Sequence, residues 1–228
     1  MATNKFDLLK FKSDGEWNKA RLDSITATSA GSILGVNNWE TALDVYIKIT
    51  TKKEKKVADT EFMARGRNYE SIVRHIFAIR HQEYRVIEPP KHNWLIRNKE
   101  NSWWAATPDG LLKAKSRYIG GVECKYHLIR GKSDEERWVN GILPDQYYVQ
   151  VIHTINASGR QFKEYYLAVL LEHQKPSDEK KWTFDNLEYR EYRFVTKEIV
   201  EDLDREQKAV NNFIENNIKK KAIPGVKL

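Results

Sequence analysis

Residues 105–127 read AATPDGLLKAKSRYIGGVECKYH, and the fold turns on how the last eight of them are interpreted. GGVECKYH is an apolar strand with two charges set into it: Val122, Cys124 and Tyr126 alternate with Glu123 and Lys125. Successive side chains of a strand point to opposite faces, so the carboxylate and the ammonium share one face while Cys124 turns to the other, toward the core. Asp109 lies fourteen residues before Glu123, between Pro108 and Gly110. Those neighbours place it where a strand breaks into a turn, and the separation is a hairpin return, so the two carboxylates converge.

On either side of this stretch the chain alternates between the two hydrophobic periods. YRVIE (84–88), HNWLI (92–96) and SWWAATPDGLL (102–112) have strand character, the last two joined by a turn at 98–101. KEYYLAVLLE (163–172) is a further strand, and LEYREYRFV (187–195) alternates as one with a wet face. The helical period predicts helices over 24–35, 39–50, 61–81, 143–159 and 196–221. In the second, Leu43, Ile47 and in one register Tyr46 face inward; in the last, Ile199, Leu203, Val210, Ile218 and either Phe213 or Ile214 do. Helices, sheet, helix, strands and helix, with no internal repeat, predict one α/β (α+β) domain over 1–228, a central mixed sheet flanked by helices.

Composition narrows the class. The 228 residues are 40% hydrophobic and 31% charged, as in an ordinary globular protein, and the formal charge of +7 suits a polyanionic partner. Lys52, Lys53, Lys55 and Lys56 form a basic loop between two helices that is either solvated or faces nucleic acid. A single cysteine, Cys124, excludes an intramolecular disulfide and by itself a zinc or iron–sulfur centre, which points to a reducing, cytoplasmic setting. The first seventeen residues hold no apolar stretch like a signal peptide, and YYLAVLL (165–171) is too short to span a bilayer, so no membrane role is expected. The six histidines are scattered without metal-ligand spacing, and His127 alone lies near the charged triplet.

Hard divalent cations such as Mg²⁺ take oxygen from one or two carboxylates together with phosphate and water, which Asp109 and Glu123 suit. Lys125, on the same face, can hold or deprotonate a water between metal and phosphate. Glu70, beside the buried stripe of helix 61–81, adds a third carboxylate, although Arg67 and Arg74 at helical spacing are alternative partners for it. Glu-x-Lys alone is more often a solvated strand pair; with Pro-Asp-Gly upstream and Glu70 on a preceding helix it resembles the PD…ExK nuclease superfamily. WNKARLDSITATSAGSILG (17–35), ARGRNYESIVRHIF (64–77), WWAATPDGLL (103–112), GGVECKYH (120–127) and DQYYVQVIHTI (145–155) resemble, in the same order and spacing, the lambda-type phage exonucleases of the viral alkaline exonuclease or YqaJ-like viral recombinase family.

That resemblance implies a restriction-endonuclease-like core and a 5′-to-3′ exonuclease that digests one strand of linear duplex DNA to mononucleotides. It implies two Mg²⁺ ions, with Mn²⁺ as a substitute, held by Asp109, Glu123, the Cys124 carbonyl and Glu70, with Lys125 positioning the attacking water. Arg21, Thr28, Thr107 and Gln150 become the pocket for a terminal 5′-phosphate, with Ser29 a rival to Thr28, and Tyr147 lines the site. Threonine stands at 28 and 107 where the family pattern has serine; the hydroxyl donor is kept. A homotrimeric ring around DNA and a single-strand annealing protein as partner are implied in the same way. Two other readings compete: a structure-specific or restriction-type endonuclease on the same metal core, and a non-catalytic basic DNA-binding protein.

Overall fold

The structure, a computed structural model, describes residues 4–53, 60–173 and 186–225. In chain order the elements are β1 (Phe6–Lys10), α1 (Asp14–Arg21), α2 (Ala27–Ile33), α3 (Ala42–Thr51), α4 (Glu61–Arg80), β2 (Arg85–Ile87), β3 (Trp94–Asn98), β4 (Ala105–Ala106), β5 (Gly110–Ala114), β6 (Arg117–Ile129), α5 (Lys132–Val139), α6 (Asp145–Ala157), β7 (Glu164–His173), β8 (Leu187–Val195) and α7 (Val200–Phe213). The strands make two sheets, β1-β3-β4 and β2-β5-β6-β7-β8. Among the described strands only β6 and β7 pair in parallel, which requires the crossover that α5 and α6 provide. Both faces of this pair are covered. Val73 and Phe77 of α4 pack with Val122, Cys124 and Tyr166 on one side, while Val151, Ile152 and Ile155 of α6 pack with Leu167 and Val169 on the other. Burial on both faces is why β7 reads as an unbroken apolar run. Among the described residues no helix is long and apolar enough to cross a membrane.

The glycine pair that opens GGVECKYH has a steric cause. A Cβ on Gly120 would sit 2.4 Å from the Glu164 carbonyl oxygen, and one on Gly121 would sit 2.6 Å from Cε2 of Tyr165 and 2.9 Å from the Gly110 carbonyl oxygen. Gly120↔Glu164 and Gly121↔Tyr165 begin the parallel register, so the missing side chains let β6 and β7 close. Gly120→Ala and Gly121→Ala are each expected to lower stability by roughly 1–3 kcal/mol through overpacking. Urea unfolding with wild-type stability for both variants would show that the strands are not so tightly apposed.

Several sequence expectations need correction. SWWAATPDGLL is not one strand: Ala105–Ala106 pairs with β3, Gly110–Ala114 pairs with β6, and the chain changes sheets across Thr107-Pro108-Asp109. The helix expected over 24–35 starts only at Ala27, because the Ile25 N–H donates to Trp103 O and its carbonyl accepts from the Ala105 N–H. In α3 the buried residues are Val45 and Ile49, whereas Leu43 and Ile47 are 42% and 46% exposed. Two i, i+4 apolar pairs ride on this helix, and the capping box between Thr41 and Asp44 sets where it begins. The final helix ends as α7 and continues as a π-helical turn over Ile214–Lys219, with Leu203, Val210, Phe213 and Ile214 buried. β1, α1 and α5 are elements the patterning did not predict. Lys55 and Lys56 of the basic loop lie outside the described residues, and Lys52 pairs with Asp23 at 2.8 Å.

Candidate active site at the junction of the two sheets

The crossing from one sheet to the other presents Asp109. Its carboxylate Oδ2 accepts the Cys124 backbone N–H at 2.8 Å. The turn around it is held from two more directions: the Trp94 indole donates to Pro108 O at 2.8 Å, and Arg74 Nη1 of α4 donates to Asp109 O at 3.2 Å. Glu123 and Lys125 project from β6 on one face, where Lys125 Nζ lies 2.6 Å from Glu123 Oε1. Glu123 is buried, and Cys124 turns its thiol into the opposite core beside Val73 and Phe77. The triplet thus meets Asp109 through a backbone N–H of its middle residue.

Electrostatics tie Glu70 of α4 to the same cluster. Burial pushes the Glu70 carboxyl above its ordinary range and the charge of Glu123 adds to this, while Lys125 opposes it. Asp109 is pushed well above the carboxylate range, by burial first and then by Glu123 and Glu70, against Lys125 and the Cys124 N–H. Burial works against the Lys125 ammonium, but Glu123, Asp109 and Glu70 outweigh it and hold its pKa above the usual lysine value. Three carboxylates crowded around one ammonium carry excess negative charge, and their oxygens are the donors that hard divalent cations take. Among the described residues no three His, Cys, Asp or Glu side chains are gathered as a preformed metal-ligand set.

Tyr147 of α6 stands over this cluster, with Lys125 Nζ 5.9 Å from its ring centroid and its phenol pKa raised mainly by burial. His127, two residues beyond Lys125, meets the Tyr147 ring edge-on and is paired with Asp134 of α5 at 2.9 Å. Sequence reasoning missed Asp134 because it did not predict α5, and it gave Arg74 only a possible link to Glu70. Tyr165 was also missed; it is fully buried on the Glu123 side of β7, and burial, followed by the charges of Glu123 and Asp109, pushes its phenol pKa up.

The four residues expected to hold a terminal phosphate come from four segments. Arg21 ends α1, its guanidinium 4.5 Å from the Trp17 ring centroid, and the Trp17 indole is itself anchored on Trp94 O. Thr28 is exposed in the first turn of α2, whereas the Ser29 hydroxyl is buried against Thr26 and receives Lys48 Nζ at 2.9 Å. Thr107 occupies the crossing just before Asp109, and Gln150 sits one turn beyond Tyr147 on α6. Backbone pairing of Ile25 with Trp104 draws the 21–28 segment against the 104–107 segment, and α2 packs on α6. Thr107 Oγ1 and Gln150 Oε1 are both buried without a hydrogen-bond partner among the described residues. Such atoms normally find one.

Known proteins share this architecture. The alkaline exonuclease LHK-Exo of Laribacter hongkongensis superposes with a TM-score of 0.59 at 18% identity, covering 91% of this chain and 97% of that one. A second LHK-Exo structure, in complex with dAMP, gives 0.57 at 16% identity over 91% and 98% of the two chains. A phage-related exonuclease of Haemophilus somnus 129PT gives 0.53 at 8% identity over 87% and 96%. In sequence, the uncharacterized protein YqaJ of Bacillus subtilis (strain 168) is 25% identical over 165 residues, 68% of this chain; the match spans only 46% of that relative, about half its length. The YqaJ-like viral recombinase domain matches residues 16–161, a span that runs from Glu16 in α1 through Gln150 on α6 and includes the Asp109, Glu123 and Lys125 junction. A match over that much of the chain, on a fold shared with these exonucleases, establishes that the chain belongs to the YqaJ-like viral recombinase family.

Proposed function

We propose that the chain is a Mg²⁺-dependent deoxyribonuclease that digests one strand of linear duplex DNA from its 5′ end, releasing mononucleotides and leaving a 3′ single strand for recombination. The observation that carries this reading is the meeting of Asp109 with Glu123, Cys124 and Lys125 at one point, the Asp109 carboxylate gripped by the N–H inside the Glu-x-Lys triplet. The exonuclease names of the structural relatives, and the dAMP bound to one of them, support it.

Asp109, Glu123, Glu70 and the Cys124 carbonyl would hold the ions, which supply Lewis-acid stabilisation of charge on the phosphodiester oxygens. Lys125, kept as an ammonium by its carboxylate neighbours, orients the attacking water and donates toward the phosphate. Tyr147 walls the same face of the cluster. Arg21 meets a terminal phosphate with its planar fork, and the hydroxyls of Thr28 and Thr107 and the Gln150 amide fix its orientation. Turning the Gln150 amide by half a rotation places its N–H₂ where the unpartnered oxygen now stands. Thr28 is favoured over Ser29 because the Ser29 hydroxyl already serves Thr26 and Lys48. A homotrimeric ring and a single-strand annealing protein remain the assembly that goes with this activity.

Linear duplex with 5′-phosphate ends is expected to be shortened to mononucleotides in Mg²⁺ and left intact in EDTA, with closed circular DNA resistant throughout. Cleavage of closed circles as fast as linear DNA would move the assignment to an endonuclease on the same carboxylates. Binding of both DNAs with no cleavage in any divalent cation would leave a basic DNA-binding protein.

A further inference from the structure

Behind the proposed phosphate pocket lies a buried polar cluster that the chemistry above does not use. His153 of α6 is fully buried, and its Nε2 stands 3.0 Å from Ile25 O and 3.2 Å from Ala105 O. Carbonyl oxygens only accept, so Nε2 carries a proton and donates to both. Its Nδ1 lies 2.8 Å from Oε1 of Glu206, a buried residue of α7 whose Oε2 accepts the Asn156 side-chain N–H at 2.7 Å. Trp104 stacks on the imidazole at 4.9 Å and 15°, and its indole donates to Asn211 next to the end of α7. Whichever side of the Nδ1–Oε1 bond holds its shared proton, Glu206 leaves Nε2–H as the nitrogen facing the carbonyls.

The two carbonyls belong to the segments that form the pocket. Ile25 lies between Arg21 and Thr28; Ala105 lies two residues before Thr107 and four before Asp109. His153 itself is three residues from Gln150 on the same helical face. One imidazole therefore pins three of the segments proposed above to meet a DNA end, and its orientation is set by a helix that lies beyond residues 16–161 of the family match.

We propose that His153, oriented by Glu206, is a positioning residue that sets the preference for a 5′-phosphate end, and that α7 is thereby part of the end-recognition apparatus. This rests on the terminal-phosphate reading above. Two amide variants separate the two halves of the imidazole. His153→Gln carries an N–H to the Nε2 position and keeps the carbonyl clamp; His153→Asn reaches only the Nδ1 position and keeps the bond to Glu206 without the clamp. The readout is the ratio of digestion rates for 5′-phosphate and 5′-hydroxyl duplexes, measured beside the thermal midpoint of each variant.

His153→Gln is expected to keep most of the wild-type ratio and His153→Asn to lower it by about ten- to hundredfold, as small misplacements of a binding group do. Equal ratios in both variants, or rates that fall in parallel on both ends, would make His153 a core residue only and overturn the proposal. Wild-type protein indifferent to the two ends would instead overturn the pocket, and the positioning role with it. If neither variant folds, Glu206 carries the test. Glu206→Gln donates its amide N–H to Nδ1 and keeps the ratio, Glu206→Ala frees the ring and lowers it, and equal ratios in these two overturn the proposal.

Discussion

Asp109→Ala and Glu123→Ala each reduce cleavage of linear duplex by roughly a thousandfold or more while the protein stays folded, because each removes an oxygen donor worth several kcal/mol of charge stabilisation. Lys125→Ala is expected to lose comparable rate and keep affinity for DNA, since its proposed task is to orient water. The folded state tolerates the two carboxylate losses because the cluster is strained by like charge. Asp109 is held well above the ordinary carboxylate range by burial, Glu123 and Glu70, so ionising it costs the folded protein stability. The sign follows from linkage: a carboxyl whose folded pKa is raised gives its full stability below the ordinary carboxylate pKa, and that stability is lost as pH rises through the raised value. Asp109→Asn, which keeps the shape and accepts the Cys124 N–H, therefore raises the thermal midpoint of metal-free protein near neutral pH, by about 2–4 °C for about 1 kcal/mol relieved. The gain disappears at acid pH. Near-normal Mg²⁺-dependent activity in Asp109→Ala, measured on radiolabelled duplex, would remove the site.

Arg21→Ala narrows the gap between 5′-phosphate and 5′-hydroxyl ends by about 10- to 100-fold, the worth of a charge-assisted bidentate contact. The loss falls on the phosphorylated end. An internal phosphodiester has one charge fewer than a terminal phosphate dianion and no free end to reach the pocket, so hydroxyl-ended DNA changes little. Thr107→Val tests the other side of the proposed pocket with a smaller effect of the same sign, because it removes a buried hydroxyl that has no partner among the described residues. Equal slowing of both ends by Arg21→Ala would make the arginine a general contact to duplex backbone instead.

The central strand and its chemistry were legible because both are local. Alternation within GGVECKYH puts Glu123 and Lys125 on one face, and the hairpin distance to Asp109 needs no long-range knowledge; β5 and β6 pair as that spacing predicts. What was not legible depends on contacts far along the chain. FDLLK becomes β1 only because Trp94–Asn98 lies beside it, and nothing in five mixed residues announces that partner. Leu43/Ile47 and Val45/Ile49 are equally good apolar pairs on α3, and only the position of α2 and the rest of the core decides between them. Pro108-Asp109-Gly110 reads as a strand breaking into a turn, but that the two sides of the break enter different sheets is decided only once both sheets are available to receive them. His153 seemed one of six scattered histidines, since its partner Glu206 is 53 residues away.

The parallel pairing of β6 and β7 also sets an order of assembly. The Asp109–Glu123 hairpin closes a short loop, whereas β6 must wait for residues 130–163, which carry Gln150, to cross over before it meets β7, and the Arg21 and Glu206 segments must then dock from either side of them in sequence. Loop closure of that kind is slow and is the first to be undone when stability is low. On the proposed function, the ability to choose an end is therefore expected to be more fragile than the ability to cut. In rising urea, discrimination between phosphorylated and unphosphorylated ends should vanish before hydrolysis does, and simultaneous loss of the two would mean that hairpin and pocket form as one cooperative unit.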